Sequence, residues 1–99
     1  MLVLGCGSAF GTLSIKDYYS PLNSQRQIRK RTDYILLHTT EGPTKGSLNK
    51  LHRYGETHYL VDTAGVVYRI INKRRIALHA GRSMWNGHTD LDRSSIAIE

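Results

Sequence analysis

The stretch Ile35-Leu36-Leu37-His38-Thr39-Thr40-Glu41-Gly42 decides how this chain is read. Together with Tyr34, its apolar half predicts a strand over residues 34–38. The uninterrupted apolar character predicts burial on both faces. The Thr-Thr-Glu-Gly turn that follows ends the strand and places the His38 ring at its carboxyl end. In open α/β sheets that edge is where ligands bind. On spacing alone, a histidine there is either a metal ligand or a hydrogen-bonded structural residue.

Working downstream, Glu41-Gly42-Pro43-Thr44-Lys45-Gly46 is a loop rich in breakers. Ser47 is the expected N-cap of a short helix in which Leu48 and Leu51 share a face, and Gly55 is its expected C′ residue. His58-Tyr59-Leu60-Val61 and Val66-Val67-Tyr68-Arg69-Ile70-Ile71 read as two strands. Asp62-Thr63-Ala64-Gly65 joins them, with Gly65 supplying the positive φ of a short hairpin loop. Ile76 to His79 reads as a further extended segment, and the polar run from Met84 to Ser94 as a surface loop. Ile96 and Ile98 alternate with Ala97 and Glu99, the pattern of a final strand. A carboxylate at the end of that strand is either a rim charge or a general base made more basic by burial. These elements predict an α/β domain with a mixed central β-sheet flanked by helices.

Upstream, residues 1–33 are expected to be an N-terminal segment and extended arm leading to a domain over 34–99. Tyr18 to Leu22 could pack on the domain surface. The start, Met1-Leu2-Val3-Leu4-Gly5-Cys6, has an apolar run, then Gly, then Cys, like the end of a bacterial lipoprotein signal. Cys6 is therefore a candidate lipid attachment point. It is also the only cysteine, which excludes an intrachain disulfide. No apolar run approaches the ~18–20 residues of a transmembrane helix.

Hydrophobic residues at 39% and charged residues at 22% place the chain among globular proteins rather than disordered ones. The net charge is +6, concentrated in Arg26-Gln27-Ile28-Arg29-Lys30-Arg31 and Lys73-Arg74-Arg75. Such clusters suit nucleic acid, an anionic envelope polymer or membrane surface, or no specific partner at all. Neither is interleaved with aromatic residues able to stack on bases, which argues against single-strand binding.

Four segments taken in order resemble the zinc-dependent N-acetylmuramoyl-L-alanine amidases of the type-2 family, which includes the peptidoglycan recognition proteins. They are Ile35 to Gly42, His58 to Asp62 with Gly65 and Val67-Tyr68, Ala77-Leu78-His79-Ala80-Gly81-Arg82-Ser83, and Asp92-Arg93-Ser94-Ser95-Ile96-Ala97-Ile98-Glu99. The resemblance implies that His38 is a zinc (Zn2+) ligand and Glu99 the catalytic glutamate. It implies a structural role for His58, and for His79 and Arg82 a place at the edge of the substrate groove. Ala97 stands where the family often has Gly. His52 and His88 match no ligand position. The family's second histidine ligand and its Asp or Cys ligand fall beyond the equivalent of Glu99, so the C-terminal part of the domain is expected to be missing. The expected partner is peptidoglycan or a muropeptide and not nucleic acid, and the expected protein is a monomer in the bacterial cell envelope. A peptidoglycan-binding module without hydrolysis is the alternative.

Overall fold

The structure is a computed structural model describing residues 13–39, 44–80, 84–85 and 87–99. Its strands are β1 (Ile15–Asp17), β2 (Tyr34–Leu37), β3 (Tyr59–Val61), β4 (Val67–Arg69), β5 (Met84–Trp85), β6 (His88–Thr89) and β7 (Ser95–Ile98), with one helix, α1 (Thr44–Tyr54). Five strands form a mixed sheet in the order β1-β4-β3-β7-β2, and β5 and β6 pair separately. This is the expected α/β architecture, with one helix among the described residues, and no helix there is long and apolar enough to cross a membrane.

Among the described residues, only β3 and β4 make a hairpin within the sheet. Its turn is built by Asp62, whose Oδ1 accepts the amides of Ala64 and Val66, both at 2.9 Å. Gly65 sits at φ 83, a conformation that costs glycine nothing. On the other side β7 runs parallel to β2, pairing Tyr34 with Ser95 through Leu37 with Ile98. β7 also runs parallel to β3, and so lies inside the sheet. Its buried face is the small-residue one: Ser95 and Ala97 are fully buried, while Ile96 and Ile98 are only half-buried.

Helix α1 begins at Thr44 rather than after Ser47. Gly55 follows its last residue at φ 60, as expected of a C′ glycine. Leu51 is buried, and Leu48 packs on the central cluster of Ile70, Ile71 and Ala77.

Two expectations need correction. β2 is an edge strand whose residues alternate between half-buried and exposed, and Ile35 and Leu37 are 64% and 76% exposed. Apolar composition made it a good strand, but among the described residues nothing covers that face. The run from Met84 to Ser94 holds the β5–β6 ribbon and a 3-10 turn at 91–94 in which Leu91, Asp92 and Ser94 are buried. Residues 76–79, expected as an extended segment, join no strand of the sheet. There the extended chain is tied instead by the Ile28–Arg75 bridge and the Ile76 amide donating to the Gln27 carbonyl at 2.8 Å.

The segment read as an arm supplies β1, which pairs parallel to β4. The amides of Tyr18 and Ser20 continue that ladder onto Arg69 and Ile70, and the Tyr18 ring stacks on His52 at 3.9 Å. Three arginines of the basic clusters donate to backbone carbonyls. Arg26 reaches Tyr54 O, Arg29 reaches Lys73 O and Arg75 O, and Arg75 reaches Arg26 O. They fasten residues 24–29 to the loop after β4 and the end of α1. Cys6 lies outside the described residues.

Candidate functional site

Parallel pairing of β2 and β7 brings the two chain-distant candidates together. Leu37 lies opposite Ile98, so His38 and Glu99 are the next residues on neighbouring strands, at one carboxyl edge. The His38 amide donates to Ile98 O at 2.9 Å. Glu99 is held from its other side, its amide donating to Tyr59 O at 2.8 Å and its carbonyl accepting the Val61 amide at 2.9 Å. The side chain is half-buried. That burial raises the carboxyl pKa above the ordinary range, and the nearby Glu56 adds to the rise, while His38 and Lys50 oppose it. A carboxylate so placed is a stronger proton acceptor than one in water.

His38 does not stand alone. Its Nε2 lies 2.9 Å from Nδ1 of His79. The His79 side chain is 1% exposed. Its Nε2 is 2.8 Å from Ser95 Oγ and 3.3 Å from Asp92 Oδ1. The Ser95 hydroxyl in turn donates to Leu91 O at 2.6 Å. Asp92, itself buried, accepts the backbone amides of His79 (3.1 Å) and Ala80 (2.8 Å). Burial lowers the His79 pKa, the Asp92 carboxylate pulls against that, and His38 adds to the lowering.

His58 is a second buried imidazole with a different task. Its Nδ1 accepts the Ala97 amide at 3.0 Å, so its proton is on Nε2, which donates to Arg75 O at 2.7 Å. Its pKa falls to about 4, chiefly through burial and against the favourable bond to Arg75 O. The ring is thus neutral and joins the middle of the sheet to the loop after β4.

Arg82 lies outside the described residues. Asp92 and Ser95 lie within the segment Asp92 to Glu99, and the sequence motif alone assigns neither a role. The available signal was a pair of polar side chains, Asp92 and Ser95, flanking the entry to an apolar strand. Their partner, His79, is 13 and 16 residues away.

Protein zinc sites use three or four side-chain ligands. His38 has suitable donor chemistry, because Nδ1 makes no hydrogen bond among the described residues. Those residues include no group of three His, Cys, Asp or Glu side chains that could hold a metal ion. On their own they do not make a zinc site.

Two comparisons bear on this arrangement. The family model described as N-acetylmuramoyl-L-alanine amidase matches residues 28–99. The chain is also 28% identical over 110 residues to "N-acetylmuramoyl-L-alanine amidase AmiD" of Escherichia coli (strain K12). That alignment covers 100% of this chain and 39% of the relative's length.

Proposed function

The chain belongs to the N-acetylmuramoyl-L-alanine amidase family, and on that premise we propose that its protein hydrolyses the amide joining N-acetylmuramic acid to L-alanine in peptidoglycan. The observation that supports this best is the pairing of His38 and Glu99 at one carboxyl edge, with burial making Glu99 more basic. In the proposed reaction the Glu99 carboxylate accepts a proton from the attacking water. The same carboxyl then returns one to the departing alanine nitrogen, which leaves as an amine. Water oxygen forms the new bond to the lactyl carbonyl carbon as the C–N bond breaks.

Zinc dependence is part of the proposal. When bound, zinc supplies Lewis acidity at the carbonyl and lowers the pKa of water to about 7. His38 would be the ligand given by the described residues, with the remainder supplied from outside them. Arg82 is proposed at the groove, where its positive charge suits an anionic glycopeptide. The same reading puts the protein in the bacterial envelope, attached through lipid on Cys6.

Full-length protein should release new L-alanine amino termini and lactyl-ended glycan from purified peptidoglycan. Glu99→Gln should reduce kcat by roughly 10²–10⁴-fold, and a zinc chelator should stop the reaction. Unchanged turnover in either experiment would remove the corresponding part of the proposal. Loss of lipid labelling in Cys6→Ser tests the anchor. One observation favours a second reading, a module that binds peptidoglycan without cutting it: the described residues include no three-ligand group. Cosedimentation with peptidoglycan without any release of amino termini would support that reading.

A further inference from the structure

We propose that His79 is the positioning residue of this site. Through a hydrogen-bond relay anchored at the Leu91 carbonyl, it holds the His38 ring with its proton on Nε2, leaving Nδ1 as the nitrogen available to a ligand. The inference rests on the amidase reading only for the importance of His38.

The direction of the relay follows from its fixed end. A carbonyl oxygen only accepts, so the Ser95 hydroxyl spends its single proton on Leu91 O at 2.6 Å. Ser95 Oγ must then accept from His79 Nε2 at 2.8 Å. The other neighbour of that nitrogen, Asp92 Oδ1 at 3.3 Å, is also an acceptor. Both neighbours therefore place the His79 proton on Nε2. In a neutral imidazole this leaves Nδ1 as the acceptor, and the donor it meets among the described residues is His38 Nε2 at 2.9 Å.

Asp92 contributes by fixing the backbone that carries the ring. Its Oδ1 accepts the amides of His79 and Ala80, so the imidazole and its main chain answer to one carboxylate. His38 meanwhile is tied by its own amide to Ile98 O. Ring and backbone of His38 are thus fixed separately, one by the relay and one by the sheet. A partner on the second ring nitrogen is how a histidine facing a ligand is oriented, and losing one typically costs 10–100-fold in affinity or activity.

The test reads protonation sites directly. Full-length protein labelled with ¹⁵N in histidine, examined by long-range ¹H–¹⁵N correlation without added metal, should show both His38 and His79 protonated at Nε2. His79→Ala should convert His38 to a mixture of tautomers. His79→Asn, which keeps an acceptor oxygen near the position of Nδ1, should restore the Nε2–H form. On peptidoglycan, His79→Ala should lower kcat by roughly 10–100-fold with KM little changed, and His79→Asn should recover part of that loss. Finding His38 protonated at Nδ1 in the wild type, or an unchanged His38 tautomer in His79→Ala, would overturn the proposal. So would an unchanged kcat in His79→Ala of an active protein. If His79→Ala does not fold, the wild type and His79→Asn decide the matter by the same criterion. A wild type with the stated tautomers but no hydrolysis would refute the amidase reading and leave the relay supported.

Discussion

Glu99 and His38 each sit one residue past the end of a strand, and their neighbours set their chemistry. Glu56 is one of the groups that raises the Glu99 carboxyl, whereas Lys50, 3.7 Å from Glu56, lowers it. Glu56→Gln removes the raising charge and frees the lysine, and both changes favour ionised Glu99. A general base works only when ionised, so the acid limb of the pH–rate profile should move to lower pH in this variant. A limb that stays in place or moves upward would contradict the assignment of Glu99 as base. His58 gives a second prediction. Its folded pKa of about 4 lies below the 6.5 of an unperturbed histidine, so between those values the unfolded chain binds more protons. Stability should be unaffected by this group above pH 6.5 and should fall by roughly 3 kcal/mol as pH drops toward 4. Urea midpoints measured across that range check it. The strand ends at His38 and Glu99 were legible because an apolar run giving way to a polar residue is a local signal, whereas a role for either side chain came only from the family resemblance. The partners of His58, for which the resemblance implied only a structural role, and those of His79 were not legible, since each depends on backbone or side-chain atoms brought near only by folding.

Among the elements, α1 shows what local chemistry decides. Gly55 was readable as its end because a left-handed residue there requires glycine. Its start was not, because Thr44 opens the helix ahead of the better-looking cap at Ser47. A Cβ on Gly55 would lie 3.0 Å from both Arg26 Nη2 and Ile71 Cδ1, whereas one on Gly65 would meet nothing within 4 Å. Gly65→Ala should therefore cost only the backbone strain, about 1 kcal/mol. Gly55→Ala should cost more, roughly 2 kcal/mol or above, because the buried isoleucine must also move. Equal thermal shifts in the two variants would show that the crowding at Gly55 is relieved without cost. Strand β2 was legible as a strand and misread in its surroundings. Periodicity reports what a segment can pair with, while the covering of its faces depends on other parts of the molecule.

For the molecule as a whole, the exposed face of β2 carries Ile35 and Leu37 on an edge that has one neighbour among the described residues. Edge strands of this composition invite pairing with other chains. For this 99-residue chain, replacing both residues by Thr should leave the unfolding midpoint within the small range of surface substitutions, about 0.5 kcal/mol each. Aggregation measured by light scattering should fall, and a large loss of stability would mean the face is covered after all. The register that creates this edge has a further consequence. Tyr34 pairs with Ser95, 61 positions later in the chain. On the ribosome, the first of these strands emerges long before the second exists, so it must wait beside the growing polypeptide with its side chains unclaimed. Synthesis from one end thus keeps the edge that carries His38 and Glu99 from assembling until Ser95 has been made, and a nascent chain stalled before Ser95 should be a client for holding chaperones.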